Sequence, residues 1–128
     1  MKLMLPLSVQ VSKKKAFILN LNNYRNAHFQ VLNKAKKLYV EEVRLALCGA
    51  RVPPFTGAVT LTYLLYQPTN RRVDVSNPLS IIDKFSSDAL VELGILPDDS
   101  SKYIMSVAYN WGGVDKESPR CELEIREI

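Results

Sequence analysis

Carboxylates and two lysines, Lys84 and Lys102, are concentrated in residues 71–102, which read RRVDVSNPLSIIDKFSSDALVELGILPDDSSK. Asp74 precedes a predicted helix, Asp88 lies within it, and Asp98 and Asp99 follow it. Carboxylates gathered from a turn, a helix and a loop suit Mg²⁺, because this hard cation prefers oxygen ligands and keeps several waters. Near a phosphodiester, such an ion would lower the pKa of a bound water and offset the charge that develops during hydrolysis. The segment therefore predicts metal-assisted hydrolysis if its carboxylates converge in space.

Lys84 is predicted to share a helix face with Asp88. A helix turns by about 100° per residue, so residues four apart lie about 40° apart, whereas Asp83 lies about 140° from Asp88. We therefore expect Lys84 and Asp88 to share a site, and Asp83 to be a solvated charge or a cap-side contact. A lysine there would add positive charge beside the transition state. The simpler alternatives are an i,i+4 ion pair, worth a few tenths of a kcal/mol, and a plain turn at Asp98-Asp99.

Charge is distributed unevenly along the 128 residues. The net charge is +4. Residues 1–51 contain ten Lys and Arg against two Glu, a balance of +8, and residues 52–128 contain seven against eleven, a balance of −4. This asymmetry favours a basic surface that faces an anionic partner such as nucleic acid, beside a separate acidic cluster. A lysine-rich helix face that is simply solvated is the alternative.

Apolar periodicity predicts the elements that must position these residues. Residues 22–26 are predicted to form a polar loop, because asparagine tolerates turn conformations. Asn77 is the predicted N-cap of the second helix, with Pro78 at its first position. The predicted strands are 3–11, 15–21, 58–66, 103–109 and 121–125, and the predicted helices are 28–48 and 78–93. The chain therefore predicts one α+β domain over residues 1–128, with a mixed sheet and two main helices packed on it.

Composition excludes several classes of protein. With 47% apolar and 23% charged residues, the chain can bury one core, and no apolar run approaches the ~20 residues of a membrane helix. The first residues lack the apolar stretch of a secretory signal, so we expect a cytoplasmic protein with no membrane partner. Cys48 and Cys121 are expected to be reduced, and with His28 as the one histidine no ordinary zinc site can be assembled. Any metal must then be bound by oxygen.

The acidic segment resembles the RusA family of Holliday junction resolvases, which occur in phages and prophages. That family shows Asp-x-Asp-Asn at the opening of a helix, a lysine within it, Asp-Ala-Leu further along and Asp-Asp just beyond. Most of the chain can be laid onto this pattern. The corresponding residues here are Asp74-Val75-Ser76-Asn77, Lys84, Asp88-Ala89-Leu90 and Asp98-Asp99.

The resemblance implies a homodimeric endonuclease that depends on Mg²⁺, with Mn²⁺ as an alternative ion, and cuts two strands of a four-way DNA junction symmetrically. It implies a bacterial host cell and a phage- or prophage-encoded protein. Asp74, Lys84 and Asp99 would be catalytic, and Asp74 and Asp99 would bind the metal with help from Asp98. The residues expected to contact DNA, chiefly its phosphates, are Asn23, Tyr24, Arg25, Lys34, Lys37, Arg71 and Arg72.

Two departures from the family pattern bear on activity. Ser76 stands where the family has a second aspartate, and the interval from Asp74 to Asp88 is four residues longer than in its best-known form. Four residues are about one helical turn, so Lys84 keeps its face. Serine is a poor Mg²⁺ ligand, and we expect Asp88 to supply the missing oxygen. The alternative is a catalytically weak or inactive relative that binds branched DNA or a phage protein.

Overall fold

Strands and helices follow one another along the chain without a regular repeat. The computed structural model describes residues 1–128. The strands are β1 (Lys2–Leu5), β2 (Ser8–Ser12), β3 (Lys15–Ile18), β4 (Val59–Gln67), β5 (Ile104–Val114) and β6 (Arg120–Glu127). The helices are α1 (Leu21–Asn26), α2 (Phe29–Ala50) and α3 (Ser76–Glu92). None of these helices is both long enough and apolar enough to cross a membrane.

Strand β4 organises the main sheet. The four strands lie in the order β1, β6, β4, β5, with β4 antiparallel to β6 and parallel to β5, so the sheet is mixed. Parallel neighbours need a crossover connection, and α3 provides it between β4 and β5. Strands β2 and β3 form a separate antiparallel hairpin. The prediction of a single α+β domain with a mixed sheet and packed helices is confirmed, and α1 is a short third helix.

One face of the main sheet and the facing sides of α2 and α3 enclose the core. Alternate residues of β4 are buried because successive side chains of a strand point to opposite faces, and the buried residues of the helices recur mostly at intervals of three and four. The hydroxyl of Tyr39 donates to the carbonyl of Pro6 at 2.9 Å, which ties α2 to the segment between β1 and β2. The largest fully buried side chains are Tyr39, Tyr63, Leu3, Leu5, Leu19, Leu61, Leu65, Leu79, Ile82, Leu90, Leu96 and Leu123.

Residues 22–26 belong to helix α1, and the prediction of a polar loop there is wrong. Asn20 caps this helix, because its side chain accepts a hydrogen bond from the backbone N–H of Asn23 at 2.8 Å. Such a bond satisfies one of the donors that the first helical turn leaves free. The helix holds Tyr24 against α3, where its ring meets the ring of Phe85 edge-on at a centroid distance of 6.3 Å.

Helix α3 begins one residue before the predicted N-cap, and its start is fixed by Asp74. The Oδ1 atom of Asp74 accepts hydrogen bonds from the backbone N–H of Ser76 at 3.2 Å and from the Ser76 hydroxyl at 2.8 Å. Asn77 has a different partner from the one predicted: its Oδ1 accepts from the backbone N–H of Leu21 at 2.9 Å. The first turns of α1 and α3 are therefore joined.

The sheet face away from the helices is partly covered by its own side chains. Gly112 lies in β5, where a loop was expected, and a Cβ atom built on it would lie 2.7 Å from the Tyr66 ring. The Arg120 guanidinium lies over the same ring, 4.2 Å from its centroid, and pairs with Glu122 at 2.6 Å. Glu122 is buried, although alternation with the apolar residues Cys121, Leu123 and Ile125 would place it on a solvent-facing side of the strand.

Candidate active site

One open cavity brings together charged residues of α3 and of the loop that follows it. Asp83, Lys84 and Asp88 reach it from α3, and Asp99 reaches it from the connection to β5. Its volume is about 480 Å³. The remaining lining residues are three serines and two apolar residues, Ser80, Ser87, Ser101, Ile104 and Val107. Lys84, Asp88 and Asp99 thus line one cavity, and their role in a common site stays a prediction.

Asp83 also lines this cavity, so the expectation of a solvated charge or a cap-side contact is wrong. Its carboxylate accepts hydrogen bonds from three hydroxyls, those of Tyr109 at 2.5 Å, Ser87 at 2.8 Å and Tyr63 at 3.3 Å. The angle of about 140° that separates it from Asp88 on the helix turns it toward β4 and β5. The sheet therefore forms one wall of the cavity and α3 forms another.

The two tyrosines stay protonated over an extended pH range. Burial, and then the negative charge of Asp83, hold the pKa of Tyr63 well above its ordinary value. Burial also raises the pKa of Tyr109, and its hydrogen bond to Asp83 adds to the effect. Both hydroxyls therefore act as donors at any physiological pH, which keeps the Asp83 carboxylate in a fixed position in the cavity wall.

Lys84 and Asp88 do not form the simple ion pair that was the alternative to a shared site. All ion pairs in the structure are made by Arg44, Arg120 and Arg126. The Nζ atom of Lys84 instead lies 5.9 Å from the centroid of the Tyr24 ring. The lysine is thus held beside the cavity by an aromatic ring, and its charge is not neutralised by a carboxylate.

A second groove of about 200 Å³ adjoins the cavity and shares Asp88 with it. Lys36 and Lys37 of α2 line this groove, together with Glu92 of α3. The Lys36 Nζ lies 5.9 Å from the Tyr24 ring centroid, as the Lys84 Nζ does. Lys36 was missed by the sequence analysis, although it belongs to the same lysine-rich run as Lys34 and Lys37. Its proximity to Tyr24 depends on α1, which the sequence did not predict.

Asp74 and Asp98 do not join this site. Asp74 lines a different cavity of about 540 Å³ together with Arg71 and Arg72, and its Oδ1 is occupied by Ser76. It precedes Asp88 by 14 positions, a rise of about 20 Å along a helix. Asp98 is exposed and does not line the cavity. The prediction that Asp74, Asp88, Asp98 and Asp99 converge on one ion is therefore wrong, because α3 separates Asp74 from the others.

The carboxylates of the cavity suit Mg²⁺ only as a partial ligand set. No group of three or more His, Cys, Asp or Glu side chains is arranged to hold a metal ion. Asp88 and Asp99 are exposed and accept no hydrogen bond from the protein, so their oxygens are free. Mg²⁺ is commonly bound through one or two carboxylates, with waters and substrate phosphates completing the shell. The donor chemistry fits such a site and does not fit a cage built by the protein alone.

The residues predicted to contact DNA fall into two groups. Arg25, Lys34 and Lys37 are exposed and have no carboxylate within ion-pair distance. Asn23 and Tyr24 are partly buried and have structural contacts: the Asn23 side chain donates to the Ile18 carbonyl, and the Tyr24 ring meets Phe85. The last two, Arg71 and Arg72, are exposed at the largest cavity, near the start of α3.

The comparisons with known proteins gave no match. No model of a known protein family matches the chain, and no curated protein matches it either. The resemblance to the RusA family therefore rests on the sequence motifs alone.

Proposed function

We propose that this protein is a Mg²⁺-dependent endonuclease that acts on branched DNA, with its active site in the cavity of Lys84, Asp88 and Asp99. The observation that carries the proposal is that two unpartnered carboxylates and an unpaired lysine line one open cavity. Lys36 and Lys37 border the adjoining groove, and these lysines can attract the phosphates of a strand. The order of motifs shared with junction resolvases supports the same activity.

In the proposed site, each residue has a separate task. Asp88 and Asp99 would hold Mg²⁺, which when bound lowers the pKa of water and offsets charge on the scissile phosphate. Lys84 places a positive charge where negative charge develops on the phosphate oxygens. Asp83 is a positioning residue, because its hydrogen bonds to Tyr109 and Ser87 fix the wall between α3 and β5.

The proposed site assigns no catalytic task to Asp74, since its carboxylate fixes the start of α3. Asp74→Asn keeps an oxygen that can accept from Ser76, so this variant serves as a matched control for Asp88→Asn. A synthetic four-way junction with Mg²⁺ should give paired nicks that disappear with EDTA. We expect Asp88→Asn to slow cleavage by about 100-fold or more, and Asp74→Asn to retain it. Loss of cleavage in Asp74→Asn with normal cleavage in Asp88→Asn would overturn this assignment.

A second candidate function is the binding of branched DNA without cleavage. It is favoured by the lack of a group of three acidic residues that could hold a metal and by Ser76, which stands at an expected aspartate. The same junction assay separates the two candidates, because a gel shift without nicks at any Mg²⁺ or Mn²⁺ concentration supports binding alone.

The proposal includes a homodimer, since a symmetric junction presents two scissile phosphates and each subunit would cut one. It also places the protein in the cytoplasm of a bacterial host, encoded by a phage or prophage. Light scattering during size-exclusion chromatography measures the mass in solution directly. A mass of one chain, 14.5 kDa, both free and on a junction would contradict the dimer.

A further inference from the structure

Trp111, the one tryptophan of the chain, has an unpartnered ring at the surface. It lies on β5 opposite Leu65 of β4, and 42% of its surface is exposed. The ring takes part in none of the aromatic pairs, and no lysine or arginine lies over it. Much of the ring is therefore accessible to a ligand.

Two arginines border this ring. Trp111 lines a shallow cavity of about 220 Å³ with Asn70, Arg71, Arg72 and Val73, and no acidic residue lines it. Arg71 and Arg72 also line the larger neighbouring cavity, and neither forms an ion pair. The patch therefore combines a flat aromatic surface with two arginines that form no ion pair.

We propose that Trp111, Arg71 and Arg72 bind an unpaired nucleotide, with the base stacked on the indole ring and the guanidiniums on the flanking phosphates. This proposal rests on the proposed function in one respect, that the ligand is DNA. It adds that this surface binds an unpaired nucleotide of a branched substrate. Trp111 would contact a base, and no aromatic residue lines the acidic cavity that could make the same contact.

The chemistry of the patch favours a single strand over a duplex or a protein. Bases in a duplex have both faces covered by their neighbours, whereas unpaired bases stack on aromatic side chains without sequence preference. Two arginines that form no ion pair match a chain of phosphates, and Arg binds phosphate through paired N–H donors. A branch point interrupts the stack of base pairs, so a base there can be unpaired at lower cost than a base inside a duplex.

Tryptophan fluorescence tests this directly, because Trp111 is the one tryptophan and excitation at the red edge of its absorption leaves the tyrosines dark. The intact protein is titrated in EDTA with oligodeoxythymidylate and with an abasic strand of the same length, which has the phosphates but no bases. We expect oligodeoxythymidylate to quench the emission, and the abasic strand to bind more weakly without quenching. Equal binding of both strands with unchanged emission would overturn the stacking proposal.

Substitutions give an independent measurement by anisotropy of a labelled oligodeoxythymidylate. Trp111→Ala should weaken binding by roughly 5- to 150-fold, the worth of one stacked base, and Trp111→Phe should restore part of it. Met105→Ala is the matched control, because Met105 lies on the same strand, is 60% exposed and lines neither arginine cavity. Arg71→Gln and Arg72→Gln should each lower the salt dependence of binding by about one unit of slope. Equal affinities for Trp111→Ala and Met105→Ala would contradict the proposal.

Failure of this inference is distinguishable from failure of the endonuclease proposal, because the titrations contain no divalent ion and no cleavage is scored. Quenching by oligodeoxythymidylate in a protein that never cuts DNA supports the nucleotide site. Normal cleavage without quenching overturns the nucleotide site alone. Emission that shifts with protein concentration in the absence of DNA also overturns it, since a second copy of the chain would then cover Trp111.

Discussion

Asp83 and Asp88 lie on the same helix and line the same cavity, but their surroundings differ. Asp83 accepts hydrogen bonds from Tyr63, Ser87 and Tyr109, whereas Asp88 is exposed and accepts none. A carboxylate with three donors has its orientation fixed by the fold, and a carboxylate without donors keeps its oxygens for a ligand. The two residues should therefore respond differently to substitution.

Asp83→Ala should lower the free energy of unfolding by about 1–3 kcal/mol, because it leaves the partly buried hydroxyls of Tyr109 and Ser87 without their acceptor. Asp88→Ala should change it by less than about 0.5 kcal/mol, as expected for an exposed residue without contacts. Urea denaturation of both variants measures the difference. A larger loss in Asp88→Ala would show that the two residues have been assigned the wrong roles.

The two cysteines should differ in reactivity. Cys48 is exposed and Cys121 is buried, and neither forms a disulfide. Burial raises the pKa of the Cys121 thiol to about 12, so the reactive thiolate is scarce at neutral pH. Titration with a thiol reagent should modify one cysteine in the folded protein and two in denaturant. The thiol ionises at a lower pH in the unfolded chain than in the folded protein. The free energy of unfolding should therefore fall as the pH rises above about 9. Modification of both thiols in the folded protein would contradict the burial of Cys121.

At the scale of elements, the start of α3 depends on a partner that is distant in sequence. Asn77 and Leu21 are 56 positions apart, and their hydrogen bond joins the first turns of α3 and α1. Sequence patterns predicted the type and approximate limits of most elements, because apolar spacing is a local property. They did not predict α1 or the place of Asp83, since both depend on contacts between distant segments, such as the bond from Tyr109 to Asp83 across 26 positions.

Asn77→Ala should lower the free energy of unfolding by about 1–2 kcal/mol, because the backbone N–H of Leu21 loses its acceptor. Asn70→Ala is the control: Asn70 is exposed and lies before α3 in the connection from β4. Asn77→Asp should keep most of the stability, because a carboxylate oxygen can also accept the hydrogen bond from the Leu21 N–H. Thermal melts of the three variants decide, and equal melting temperatures for Asn77→Ala and Asn70→Ala would contradict the link between the helices.

For the molecule as a whole, lysines of α2 and carboxylates of α3 meet beside the candidate site, where Lys36, Lys37, Asp88 and Glu92 line one groove. Arg25 of α1 and Lys34 and Lys37 of α2 are exposed and form no ion pair, and Lys36 and Lys37 line the groove that shares Asp88 with the acidic cavity. A DNA strand bound by these lysines would therefore lie close to the carboxylates of the cavity. Of the four carboxylates that the sequence grouped around a metal, Asp88 and Asp99 line this cavity, whereas Asp74 and Asp98 do not.

Binding of a four-way junction should weaken steeply as salt is added, because the contacts are made with phosphates and release counterions. Lys37→Gln and Arg25→Gln should each reduce the slope of log affinity against log salt by about one. Lys116→Gln, an exposed lysine in the connection between β5 and β6, should leave the slope unchanged. A flat salt response of the unmodified protein would exclude phosphate contacts as the source of binding.

The most direct test is the cleavage rate of a four-way junction in Mg²⁺ by Asp99→Asn and Asp74→Asn, measured side by side with the unmodified protein. Asp99 lines the cavity of Lys84 and Asp88, whereas Asp74 fixes the start of α3. We predict that Asp99→Asn loses cleavage by about 100-fold or more and still binds the junction, and that Asp74→Asn cuts at nearly the normal rate. Unchanged cleavage by Asp99→Asn, or no cleavage by the unmodified protein, would contradict the proposed active site.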